Sequence, residues 1–102
     1  MHFNIGNMEE QRMDHIIITV VGKDRVGIIA RVCTYLSDSN INISDISQTI
    51  VSGYFNMIVI ADMSACTKAF ETIADELSAI GKEMDLAINT QREGIFTAMH
   101  RV

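Results

Sequence analysis

Proline and tryptophan are both absent from the 102 residues, and cysteine occurs only twice. Without proline no turn has a pre-set φ, so every reversal of the chain relies on Gly, Asn, Asp and Ser. Cys33 and Cys66 lie thirty-three positions apart. That spacing fits neither a zinc ligand pair nor a redox pair, and the two read as buried thiols. Basic residues are also in the minority: eight against thirteen acidic give a formal net charge of -5. Such a balance disfavours contact with a phosphate backbone, so nucleic acid is not an expected partner. Apolar runs are short, such as Ile16-Ile17-Ile18 and Met57-Ile58-Val59-Ile60-Ala61, far below the ~20 residues of a membrane span. The first thirteen residues contain Glu9, Glu10 and Arg12 and lack the basic start and apolar stretch of a secretory signal. A cytoplasmic protein is expected, with no membrane partner.

What is present is an ordinary globular mixture, 48% hydrophobic and 21% charged, in a length suited to one core. Residues 1–13 read as an N-terminal extension without an assigned role, and residues 14–102 as a single domain. Residues 15–22 are almost continuously β-branched, the composition of a strand covered on both faces. A helix follows, with Ile29, Val32, Cys33 and Leu36 as its buried stripe, Asp24 as its capping start signal and Ser37-Asp38-Ser39-Asn40 as its exit. Residues 40–52 alternate in two phases, Ile41 and Ile43 against Ile46 and Ile50. A one-residue bulge at Ser44-Asp45 would reconcile them.

Ser52-Gly53 then supplies a tight hairpin turn into a strand on which Phe55, Met57, Val59 and Ala61 share one face. Phe70, Ile73, Ala74, Leu77 and Ile80 repeat at helical spacing, with Gly81 as the expected stop. Met84, Leu86 and Ile88 alternate in a fourth strand, and Ile95-Phe96-Thr97-Ala98-Met99 suits a short helical tail. The order βαββαβ folds, by the rules for connections, into an α+β ferredoxin-like sandwich: a four-stranded antiparallel sheet with two helices on one face. The opposite face then carries Ile17, Val21, Ile58 and Ile60. At ~25 cal/mol per Å², baring a few hundred Å² of such surface forgoes several kcal/mol. A cover is expected from the tail, from the extension or, as the leading expectation, from a second copy of the chain.

Most catalytic readings fail on their residues. Gly22-Lys23-Asp24-Arg25-Val26-Gly27 has P-loop glycine spacing, yet Ile28-Ile29 stands where Lys and Ser or Thr would be needed. His2, His15 and His100 are too scattered for a metal set or a nucleophile with its base, and no cofactor is implied. The loop after the first strand remains. Gly22 and Gly27 let backbone approach a guest, and free amides near Val26 to Ile28 favour a carboxylate. Asp24 can receive an ammonium, and Asn42 offers a donor and an acceptor at the start of the second strand. Together these groups suit a zwitterion. The plainer alternative is that Asp24 only caps the helix and Asn42 only satisfies backbone.

At Asp24-Arg25-Val26-Gly27-Ile28 and Asn40-Ile41-Asn42-Ile43, followed by Asp45-Ile46-Ser47, the sequence resembles the ACT domain family. The likeness runs from His15 to Gln91 and looks closest to the small stand-alone ACT proteins, including their Ile-Phe-x-Ala-Met tail. It is also similar to one half of the glycine-cleavage repressor. The resemblance implies a regulatory homodimer without catalysis of its own, binding an amino acid or other small effector between the first loop of one subunit and the second-strand start of another. Carried over by position, the ligand-binding residues are Gly22, Lys23, Asp24, Arg25, Val26, Gly27, Ile28 and Asn42, and a separate regulated protein is the implied partner. Val26 replaces the family's usual proline, and Asn40 its usual glycine. Two rival readings stand beside this one. One is an interaction module without a ligand. The other is an acylphosphatase-like enzyme using Arg25, although the Gln-Gly and Phe-Arg signatures of that family are missing.

Overall fold

The computed structural model describes residues 14–93. Six elements follow in the order βαββαβ: β1 (His15–Lys23), α1 (Ile28–Asp38), β2 (Asn42–Val51), β3 (Tyr54–Asp62), α2 (Phe70–Met84) and β4 (Leu86–Arg92). The strands form one sheet in the order β2-β3-β1-β4, with every neighbouring pair antiparallel. This is the expected ferredoxin-like α+β architecture. The extension over residues 1–13 and the tail over residues 95–99 lie outside the described residues.

Alternation along β1 and β3 decides the core. Ile16, Ile18 and Val20 of β1 and Phe55, Met57, Val59 and Ala61 of β3 are all nearly inaccessible, as are Val32 and Leu36 of α1 and Ile73 and Leu77 of α2. Burying each of the larger of these side chains contributes about 1.5–3 kcal/mol. The register of β2 against β3 shifts between Ile43 and Asp45. The bulge at Ser44 therefore puts Ile43, Ile46 and Ile50 on the helix-side face, opposite Ala61, Val59 and Phe55. The hairpin turn has positive φ at both Ser52 (52°) and Gly53 (80°), the requirement of a two-residue turn matched to strand twist.

The exit of α1 explains Asn40. The Ile41 N–H donates to the Leu36 carbonyl at 2.9 Å and the Asn40 N–H to the Ser37 carbonyl at 3.1 Å. Asn40 itself is left-handed at φ 59°. This is a Schellman closure, and asparagine tolerates its left-handed position better than other side chains except glycine.

Several expectations are corrected. The buried stripe of α1 is Ile28, Val32 and Leu36, because the helix starts later than the Asp24 signal suggests; Ile29 is 38% exposed. Gly81 does not stop α2, which runs on to Met84 and ends at a left-handed Asp85. Met84 therefore belongs to the helix and not to β4. Both cysteines are free and only half-buried. The first strand is not covered throughout, since Val21 is 43% exposed.

Candidate functional site

Between β1 and α1 the chain turns through Asp24, Arg25, Val26 and Gly27. Gly27 holds φ 93° with open space where a Cβ would stand, a conformation that glycine adopts without strain. It forms the cap of α1, and no side chain bonds the free amides of that end. Asp24 is therefore not the helix cap. Its backbone N–H donates to the Gly53 carbonyl at 2.9 Å, tying the loop to the β2–β3 hairpin. The uncapped first turn also lacks an acidic residue, so its amides stay available to an anion.

The other loop residues have distinct surroundings. A Cβ on Gly22 would lie 2.5 Å from Leu86 Cδ2 and 3.3 Å from the Asp85 carbonyl, so the close approach it permits is to the chain itself. Arg25 Nη1 donates to the Met84 carbonyl at 3.0 Å, which sets its cation at the negative end of α2. Lys23 ends β1 opposite Tyr54, and Val26 is 99% exposed at the loop tip. Asp24, Arg25, Gly27 and Ile28 share one cleft of about 270 Å³ with Gln48, Ile50 and Phe55.

Asn42 lies elsewhere. It opens β2 opposite Asp62, and Asp62 in turn faces His15. Since β1 and β2 are both antiparallel to β3, they run in the same direction. Asn42 therefore stands at the sheet end where β1 begins, while the loop stands where β1 finishes. Eight residue steps of ~3.3 Å separate them, roughly 26 Å. Asn42 lines a second cleft of about 480 Å³ with Cys33, Ser37, Asn40 and Ile41, at the C-terminal end of α1. No charged side chain lines it. One chain thus gathers part of the loop set in one cleft and keeps Asn42 in another. Both clefts border β2, one of the two edge strands of the sheet, the other being β4.

Sequence reasoning missed Gln48, Ile50, Cys33 and Ser37 as cleft walls. The bulge that turns Gln48 and Ile50 to the helix side was the available signal. A third cluster is structural: the Tyr35 hydroxyl donates to Glu76 Oε1 at 2.7 Å, Lys68 Nζ donates to the same oxygen at 2.8 Å, and Lys68 lies 5.6 Å from the Tyr35 ring centre. Burial, then the hydrogen bond to Glu76, pushes the Tyr35 phenol above its ordinary range. The bonds from Lys68 and Tyr35 hold Glu76 below the usual carboxylate range. Among the described residues no cluster of His, Cys, Asp and Glu could hold a metal ion, and no helix is long and apolar enough to cross a membrane.

A βαββαβ sandwich whose β1–α1 loop turns at a left-handed glycine beside an edge strand is one of the architectures used by small regulatory ligand-binding domains. The chain belongs to the ACT domain family, whose match covers residues 14–91. It is 54% identical over 90 residues to a UPF0237 protein of Bifidobacterium longum, covering 88% of this chain and all of that one (100%). Among solved structures it is similar to an ACT domain protein from Streptococcus pneumoniae, with a TM-score of 0.72 and 39% identity over 80% of this chain and 92% of that one. A protein named as a glycine cleavage system transcriptional repressor matches with a TM-score of 0.64 and 25% identity, over 76% of this chain and 44% of that one.

Proposed function

We propose that the chain is a non-catalytic regulatory module that binds an amino acid where two copies pair through their β2 edges, and that it signals to a separate protein. The observation that carries this reading is the position of the two clefts at opposite ends of one edge strand. A two-fold axis normal to the sheet runs two β2 strands antiparallel, so the β2 start of one copy meets the hairpin end of the other. The cleft holding Asp24 then faces the cleft holding Asn42 of the second copy. Free amides at Gly27-Ile28 receive the carboxylate, Asp24 the ammonium, and Asn42 a neutral polar group. Exposure along this edge supports the pairing: Ile46 is 42% and Ile50 55% exposed on the helix-side face, beside Ile29 at 38%. α1 covers β2 only in part, and a neighbouring copy would cover these three.

A thermal-shift screen of the standard amino acids tests the reading. One compound or a few related ones should raise the melting temperature, since a ligand at a hundredfold its Kd adds ~2.7 kcal/mol. Asp24→Asn should abolish the shift and Asn42→Ala should reduce it. If no amino acid shifts the melt, the site has no such ligand and the interaction-module reading takes its place. Acyl-phosphate hydrolysis should stay at background in both wild type and Arg25→Ala, because the loop lacks the Gln-Gly and Phe-Arg signatures of that chemistry; Arg25 instead donates to the Met84 carbonyl.

A further inference from the structure

The open face of the sheet has the makings of an interface that β2 pairing leaves unused. Val21, Val51, Tyr54 and Ile58 are 43%, 63%, 57% and 47% exposed. Val51 stands opposite Tyr54, and Val21, paired with Asn56, lies diagonal to both Tyr54 and Ile58. The four therefore form one contiguous patch. Beside it run polar, uncharged side chains: Ser47 and Thr49 on β2, Asn89 and Gln91 on β4. An apolar centre within an uncharged polar border is the anatomy of a recognition surface. Charges occur only toward the ends. Lys23 shares the Tyr54 end, whereas Asp45, opposite Ile60, and Asp62, opposite His15, occupy the other.

We propose that a second copy of the chain packs on this face, sheet to sheet, about a two-fold axis lying in the interface and perpendicular to the strands. The charges select both occupant and axis. That rotation sets Lys23 of each copy toward Asp45 and Asp62 of the other, whereas an axis parallel to the strands would bring lysine to lysine and aspartate to aspartate. The face is thus complementary to itself in only one orientation. Ile17 of the same face is only 6% exposed, so the contact is confined to the patch and its border. That is less than the ~1,100 Å² that two whole faces of four strands ~4.8 Å apart and about 30 Å long would bury, which places it among small, reversible interfaces. Because β2 edges stay free, this contact and the edge pairing coexist in a tetramer with three perpendicular two-fold axes.

Sedimentation equilibrium on the full chain tests the proposal. The expected wild-type mass is four chains. Ile58→Glu should halve it while leaving far-ultraviolet circular dichroism and the amino-acid thermal shift intact, since the effector site lies on the other contact. Tyr54→Asp, farther from the core, reads the same contact should Ile58→Glu unfold. A two-chain wild type that either variant splits into single chains also supports the open-face contact, and removes the β2 pairing instead. A wild-type mass that neither variant changes overturns the proposal, the face then being covered by the chain's own ends or left bare.

Discussion

Replacing Gly81 with alanine tests whether this glycine is a helix stop or a contact point between layers. Gly81 is buried inside α2. A Cβ there would lie 2.7 Å from the Leu86 carbonyl oxygen and 3.1 Å from Ile88 Cγ1. Helix propensity alone favours alanine by ~1 kcal/mol. Against that stands overpacking, which costs ~1–3 kcal/mol, and here the near atom is backbone that no rotamer change can move. Retreat of β4 is blocked as well, because Leu86 pairs with Gly22 of β1 and already fills the space beside it. Leu86 is gripped between two glycines.

Because the near atom is backbone, the upper part of that range applies, ~2–3 kcal/mol. The net expectation for Gly81→Ala is a loss of about 1–2 kcal/mol, read as a fall in the urea midpoint at unchanged slope, or as roughly 5–15 °C in Tm at the ~4–8 °C per kcal/mol of a domain this size. Gly22→Ala provides the contrast. Its nearest clash, at 2.5 Å, is with Leu86 Cδ2, a side-chain end. A double-mutant cycle with Leu86→Ala should therefore recover part of the Gly22→Ala loss and none of the Gly81→Ala loss. A Gly81→Ala protein as stable as wild type, or more so, would refute the reasoning and restore propensity as the deciding term.

Three further outcomes follow from single residues. Ser52→Asn should raise stability by about 0.5–1 kcal/mol in the same urea assay, since Asn-Gly suits the two left-handed positions of the β2–β3 turn better than Ser-Gly; a loss would show that the Ser52 hydroxyl is needed there. Thr90→Val should also stabilise, by about 1 kcal/mol, because Thr90 Oγ1 is buried without a partner and valine keeps the shape while removing the desolvated hydroxyl. Glu76 is held ionised in the folded state, so its contribution is present above the ordinary carboxylate value of 4.5 and lost as pH falls through the lower folded value. The Tm gap between wild type and Glu76→Gln should accordingly be widest near neutrality and close in acid; a gap constant with pH would disprove the Lys68–Glu76–Tyr35 linkage.

Legibility followed the range of the forces involved. The bulge at Ser44, the Ser52-Gly53 turn and the two faces of β1 and β3 were readable because parity and turn chemistry act over a few residues. Asp24 misled because a cap signal says nothing about the loop conformation that follows it; left-handed Gly27 delays the helix and rotates its buried stripe onto Ile28. Gly81 misled for a longer-range reason. Directly after Ile80, the last residue of the helical repeat, it resembles an ending, and only the position of β4, brought over by pairing with β1, shows why a side chain is forbidden there. The candidate site divides in the same way. Glycine spacing marked the loop, and a donor and acceptor at the start of the second strand marked Asn42, but Gln48, Ile50, Cys33 and Ser37 became visible as walls only once β2 was known to be an edge strand.

The separation of the loop from Asn42 also dictates how binding must respond to dilution. Roughly 26 Å of strand, at ~3.3 Å per residue, is several times the reach of an amino acid, so no effector can touch both within one chain. If the effector contacts both, each molecule bound also stabilises the pair, and by reciprocity its apparent affinity depends on how much protein is already paired. Titrations at successively lower protein concentration should then show the apparent Kd rising once the dimer begins to dissociate. Asn42→Ala should flatten that dependence, because what remains of the site lies within one chain. A ligand bound by the Asp24 cleft alone would give the same Kd at every dilution, and that result would reduce the paired site to a half-site on each copy.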